Sequence, residues 1–303
     1  MLKTSTLLIA ILGALMLSSG ARSEDKMVVR FCTGGENFPY AVAGGMVKNQ
    51  LGSNPDASID IVNTKGTWDN IKRTALLDLD DPEHCDIMIG QPDGKKLLQQ
   101  ERAAEAGKLR KINNYHREYL HVLCGTDSGV NSLDDLEDDP KAYKLGIGED
   151  GSGGWLIWQN LTYEDDDYAE VPTRSESGSL ALSGLASGEL TCMLVPAGIY
   201  NKTTMQADRY YAGQIELVEA QDSDFNDATD AEGEKLYVFD SIPGGTYANS
   251  MQTGIWSSVD TIAWDAAVYI RTDAFADHPK ALEAVISAVS RARAEVLATF
   301  NPD

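Results

Sequence analysis

The chain has 303 residues, 43% of them hydrophobic, with 47 acidic against 25 basic side chains and a formal net charge of −22. That length and apolar content suffice for a large buried core and point to two domains. A surface so acidic repels nucleic acid and anionic lipid, which excludes both as expected partners.

Residues 1–23 read as an export signal, with Lys3 as the positive start, Leu7 to Leu17 as the apolar segment and Ala21-Arg22-Ser23 as a small-x-small cleavage site. The apolar segment has 11 residues, short of the ~18 that a membrane helix needs. No cysteine follows it closely enough to carry a lipid anchor. The expectation is a mature protein free in the periplasm.

Beyond the signal, three stretches repeat strand, loop and helix: "MVVRFCTGGENFPYAVAGGMVKNQL", "SIDIVNTKGTWDNIKRTALL" and "CDIMIGQPDGKKLLQQ". Such alternation builds an α/β domain with a largely parallel sheet, whose ligands sit beyond the carboxyl ends of the strands. A second unit begins at "EYLHVLCGT", with Ser132-Leu133-Asp134-Asp135 as a helix start, followed by "KLGIGEDGSGGW" as strand, glycine-rich turn and helix. It continues through "GELTCMLVPAGIYNK" to "QIELVEA", and its "LTCMLVPAG" echoes the earlier "HCDIMIGQPDG", as two lobes built on one plan would. Residues 221–250 read as a polar loop and "TIAWDAAVYIRTD" as an apolar strand. The last helix follows Pro279 with Leu282, Val285, Ile286, Val289, Val296 and Leu297 at helical spacing, long enough to return to the first lobe. The expected lobes are therefore 24–123 plus 222–303 and 124–221, joined by two hinge crossings.

Cys32, Cys85, Cys124 and Cys192 contain no C-x-x-C. Export permits disulfides, the three pairings stay open, and buried thiols fit Cys124 and Cys192 equally well.

Catalytic readings find little support. His84, His116, His121 and His278 show no metal spacing, and Ser152 misses the G-x-S-x-G nucleophile elbow by one position. Gly146, Gly148 and Gly151 complete G-x-G-x-x-G, with Glu164 to Asp167 near the place of a ribose-binding acid. Export away from the nicotinamide pool opposes that use. Asp222, Asp224 and Asn226 are spaced like the first ligands of a calcium loop, but Asp227 and Gly233 stand where glycine and a bidentate glutamate are needed. A solvated acidic loop is the simpler reading, and no catalytic residue, metal or cofactor is expected.

The loops that follow the strands carry a different chemistry. Thr33, Gly34, Gly35, Glu36 and Asn37, with Tyr40 just beyond, form one group; Thr67, Trp68, Asp69 and Asn70 a second; Gln91 and Asp93 a third. Ser152, Gly153, Gly154 and Trp155 face them from the second lobe, with Pro196 and Ala197 at the end of its echoed strand. Hydroxyls, amides, helix starts and aromatic rings are the usual contents of a ligand cleft between domains.

In this order the pieces "FCTGGENFPY", "VNTKGTWDNIKR", "CDIMIGQPD", "LRKINNYHREYLHVLCGTDSGVNSLDDL", "GIGEDGSG", "GELTCMLVPAG" and "IPGGTYANSMQTGIWSSVDTIAWDAAVYIRTD" resemble the TAXI-type solute receptors of tripartite ATP-independent periplasmic (TRAP) transporters. The resemblance implies a two-lobed periplasmic binding fold, type II-like, that closes on its small-molecule ligand and hands it to TRAP-type permease subunits; a monomer is expected. It places ligand contacts at Thr33 to Asn37, at Thr67 and Asn70, and at Ser152 and Gly153, and it implies a carboxylate ligand. Trp68 and Gly154-Trp155 depart from the family pattern. They favour the rival ligand class, a cationic or zwitterionic amine caged by Trp68, Trp155 and Tyr40 beside Asp69, Glu149 or Asp150. A ligand sensor without transport is the third reading.

Overall fold

In the computed structural model residues 26–36, 38–230, 233–254 and 257–301 are described. The expected export signal and Asn37 lie outside the described residues. In chain order the elements are β1 (Met27–Cys32), α1 (Pro39–Leu51), β2 (Ala57–Val62), α2 (Thr67–Ile71), β3 (Ile87–Gly90), α3 (Pro92–Glu101), α4 (Ala103–Ala106) and β4 (Leu109–Gly125). There follow α5 (Asp135–Asp138), β5 (Leu145–Gly146), α6 (Gly153–Glu164), β6 (Thr173–Arg174), α7 (Gly178–Ser187), β7 (Cys192–Ala197), α8 (Lys202–Tyr210), β8 (Ile215–Val218), β9 (Val238–Ile242), β10 (Val259–Arg271) and α9 (Pro279–Phe300).

The strands join one sheet in the order β2-β1-β3-β10-β4-β7-β5-β6, with β8 on β4 and β9 on β10. β1 is parallel to β2 and β3, and β5 is parallel to β6 and β7, as strand-loop-helix units dictate. Between these parallel halves lie two long antiparallel strands. Leu109 to Glu118 of β4 pair with β10, whereas Tyr119 to Cys124 pair with β7. One strand therefore serves both halves, and β10 is the second element to bridge them, through β3 on its other side.

Each half is covered on both faces. In the first, α1 and α9 bury Val29, Phe31, Ile89 and Val268 under Val47, Val285 and Val289, while Ile71, Met88, Leu98 and Tyr269 fill the opposite side. In the second, Leu120, Leu145, Ile157 and Trp158 form one core and Leu123, Leu182, Leu190 and Ile215 the other. The expected two-lobed α/β architecture matches this arrangement. On α9 the centre of the buried stripe is Ala281, Val285, Ala288, Val289, Ala292 and Val296, with Leu282 at its edge. Alanines occupy that centre because α9 lies close against α1 and β4.

Two disulfides resolve the open cysteine question. Cys32 at the end of β1 bridges to Cys85 just before β3, and Cys124 of β4 bridges to Cys192, its direct cross-strand neighbour on β7. The stretch read as a polar loop, 221–250, contains β9 and anchors itself by Phe225, Leu236 and Tyr237 in one core of the second half and by Tyr247 in the other. No helix among the described residues is long and apolar enough to cross a membrane.

Candidate functional site

The starts of α2 and α3 face the turn before α6, through Trp68 and Gln91. That turn is the glycine-rich stretch of the sequence. Gly148 and Gly151 take φ of 84° and 86°, a conformation that side-chain-bearing residues avoid. Ser152 then caps α6: its hydroxyl accepts from Trp155 N at 3.3 Å and donates to Ile147 O at 3.1 Å. A methyl group built on Gly154 would lie 2.6 Å from Ile147 O, so only glycine lets the helix start sit this close to β5.

Several expected residues form the scaffold of the first half. Asn70 is fully buried; its amide nitrogen donates to Thr33 O and to Ile89 O, and its oxygen accepts from Thr64 Oγ1. It ties the ends of β1 and β3 together. Thr33 donates its hydroxyl to Val62 O at 3.3 Å, and Asp69 accepts from Lys65 N and Arg73 Nε, at 3.1 and 3.2 Å. Gly34 is buried and Gly35 half-buried, with Phe38 N donating to Gly35 O, while Glu36 is exposed. Ala197 pairs with Tyr119 at the point where β4 changes partner.

Other expected residues meet across the two halves. The Trp68 and Trp155 rings lie 6.1 Å apart at 44°, and a methyl group on Gly151 would come within 3.0 Å of Trp68 Cβ. Trp68 thus covers the glycine turn. A methyl group on Gly153 would lie 2.7 Å from Gln91 Oε1 and 2.8 Å from Pro196 Cγ. Gln91, Pro92 and Asp93 open α3, with proline at its favoured first position, and Thr67 Oγ1 accepts from Gln91 N at 3.1 Å. Gln91 Nε2 is buried without a hydrogen-bond partner among the described residues.

Behind Gln91 lies a buried polar centre that sequence reasoning found only in part. Tyr40 donates its hydroxyl to Glu118 Oε2 at 2.9 Å, and Trp264 Nε1 donates to the same oxygen at 3.0 Å. His116 Nε2 stands 3.4 Å from Glu118 Oε1. Tyr237 donates to Asp93 Oδ2 at 3.2 Å, whereas Asp93 Oδ1 is buried without a partner. Burial, assisted by Glu118, pushes the Asp93 carboxyl up to about 7, against the lowering effect of the Tyr237 hydroxyl. Burial also raises the Tyr40 and Tyr237 phenols well above the ordinary range, with Glu118 adding to the first and Asp93 to the second. Glu118, His116, Tyr237 and Trp264 were not among the expected site residues. The available signal was a charged residue, Glu118, inside a strand that has to cross between lobes.

The calcium-like spacing comes out differently from a loop. Asp222 and Asp224 approach Glu137, and Glu137 also approaches Asp165 and Asp167. Asp222 already accepts from Tyr168 Oη and Asp224 N, and Asn226 Oδ1 accepts from Lys235 Nζ at 2.6 Å.

The profile of the NMT1-like family matches residues 32–282. No curated protein matches the chain. Among solved structures, one named as a periplasmic sulfonate-binding protein from Methylobacillus flagellatus is 13% identical, with 92% of this chain and 74% of that one covered at a TM-score of 0.51. MatC from Rhodopseudomonas palustris, solved with bound malate, is 12% identical over 89% of this chain and 84% of its own, at 0.49. A TRAP periplasmic solute-binding protein from Desulfovibrio desulfuricans, with bound sn-glycerol-3-phosphate, is 11% identical over 90% and 79%, at 0.48. At such identities the likeness concerns fold, and the fold is that of periplasmic binding proteins.

Proposed function

The chain belongs to the NMT1-like family, and we propose that it is a non-enzymatic solute receptor, exported to the periplasm by its first 23 residues, that closes on a small ligand. The lobes are 24–123 plus 222–303 and 124–221, and the hinge is the pair of strands β4 and β10. As a TAXI-type receptor it acts as a monomer and passes the ligand to TRAP-type permease subunits.

The observation that carries this reading is Gln91. Its side chain presses against Gly153 of the opposite half, yet its Nε2 is buried with no partner among the described residues. An unmet buried donor costs ~1–3 kcal/mol, and a ligand acceptor held at the junction would meet it. Contacts from both lobes exist only when the cleft is shut, so the ligand favours the closed state.

A small organic anion is the first form of this reading. Helix geometry leaves the N–H groups of Gly153 and Gly154 without intrahelical acceptors, and these with Gln91 Nε2 are donors for a carboxylate. Ser152 and Thr33 already donate their hydroxyls to backbone oxygens, so neither adds a donor. The test is small-angle scattering together with thermal shift on refolded, ligand-stripped protein, with malate, 2-oxoglutarate, glutamate, putrescine and agmatine as probes. A probe at ~100 times its Kd adds ~2.7 kcal/mol of stability and shrinks the radius of gyration. Unchanged melting and scattering with every probe would refute the receptor reading.

A further inference from the structure

Asp93 stands in the first turn of α3, where an acid is common but full burial is not. It is fully buried, and one carboxylate oxygen has no hydrogen-bond partner among the described residues. The nearby Gly94 N–H eases its charge but makes its own hydrogen bond to Gln91 O. A second carboxylate, Glu118, is 6% exposed and lies in the same centre. Its Oε2 accepts from Tyr40 and Trp264, and its Oε1 stands 3.4 Å from His116 Nε2.

The basic side chains closest to Asp93 along α3 are directed elsewhere. Lys95 Nζ lies 5.9 Å from the Tyr269 ring centroid, and Lys96 faces Glu164 at 4.0 Å. Around the carboxylates stand Tyr40, Tyr237 and Trp264, the last two in edge contact with centroids 5.8 Å apart. Electron-rich rings beside acceptor oxygens form the chemical complement of a cation with N–H bonds. A buried carboxylate without a counter-charge is costly, and a ligand bringing that charge recovers the cost only when bound.

We propose that the ligand of this receptor carries a cationic nitrogen with N–H donors, an ammonium or guanidinium group, which donates to Asp93 Oδ1 in the field of Glu118 and beside Tyr40 and Trp264. The proposal rests on the receptor reading above and fixes the ligand class for that site. Gln91 is the second contact, its amide turned toward whatever the cation bears at its other end. Asp69, Glu149 and Asp150, the acids first associated with an amine cage, have no part in it.

The experiment is a calorimetric and thermal-shift titration of the ligand-stripped full chain at pH 8, using putrescine, agmatine, malate, 2-oxoglutarate and the neutral polyol ribitol. Wild type, Asp93→Asn and Glu118→Gln are compared. The expected result is binding of an amine, weakened on the order of 100-fold by Asp93→Asn and about tenfold by Glu118→Gln. Glu118→Gln carries the test alone should the first variant not fold. Binding of an acid or of ribitol with no amine binding overturns the ligand class and leaves the receptor standing. Amine binding that neither variant weakens also overturns it. Absence of binding by all five probes removes the receptor reading and this proposal together.

Discussion

Replacing Asp93 by asparagine is expected to stabilise the unliganded protein, and to do so only at neutral and alkaline pH. In the fold the carboxyl is pushed from its ordinary 3.8 to about 7, chiefly by burial. A folded value above the unfolded one means that the native state holds the proton more tightly. Below 3.8 both states are protonated and the group costs nothing; the penalty grows as pH rises through the window from 3.8 to about 7 and is complete above it. At ~1.36 kcal/mol per pH unit the full penalty is roughly 4 kcal/mol. Asparagine keeps an oxygen to accept from Tyr237, so most of that amount should be recovered. For a chain of this size ~1 kcal/mol moves Tm by ~2–4 °C; the variant should therefore melt at least about 4 °C above wild type at pH 8 and level with it at pH 4. Thermal unfolding followed by circular dichroism at both pH values is the assay. A variant less stable at pH 8, or a difference independent of pH, would refute the assignment of Asp93 as a buried, uncompensated acid.

Three other outcomes follow from the geometry. Reduction of the Cys32–Cys85 and Cys124–Cys192 bridges, which span 53 and 68 residues, should cost ~4 kcal/mol each on a chain-entropy estimate, visible as a lowered urea midpoint with reductant. Gly153→Ala sets a methyl group 2.7 Å from Gln91 Oε1 of the other half; overpacking of ~1–3 kcal/mol should weaken ligand affinity ten- to a hundredfold while each half stays folded, so normal affinity in calorimetry would contradict the closure geometry. Trp68→Ala removes the ring contact with Trp155 and uncovers Gly151. A loss of ~1 kcal/mol from an aromatic pair shifts the unliganded molecule toward the open form, and small-angle scattering should record a larger radius of gyration.

Much of the architecture was legible because its signals are local. The apolar runs of β1, β3 and β7, the proline starts of α1, α3 and α9 and the Ser152 cap can each be read from a few adjacent residues. What escaped depends on contacts remote in sequence. β9, "VFDSI", is mostly exposed or half-buried and has no apolar stripe, so only its pairing with β10 makes it a strand. Cys124 and Cys192 become partners through the antiparallel register of β4 on β7, which no spacing rule supplies. The same holds for the site. Tyr40, Gln91 and Asp93 were accessible from loop chemistry, but Glu118 and Trp264 face each other because β4 and β10 pair. Asn70 and Ser152 carried the right residue types for a ligand, yet both serve the backbone, because buried strand ends and helix starts need partners of their own.

The position of β10 also determines when the molecule can become whole. β3 and β4 are neighbours in sequence, yet the strand between them in the sheet is drawn from Val259–Arg271. Until that segment is synthesised, the inner edges of Ile87–Gly90 and of the first part of β4 have no partner. Both edges leave backbone groups unpaired, and that of Ile87–Gly90 is apolar as well, the kind of surface on which chains pair with one another instead of with themselves. Completion therefore waits for one of the longest-range pairings in the chain, the kind of contact that forms slowly. The pairing of β4 with β10, which joins the two halves, is thus also the last to form.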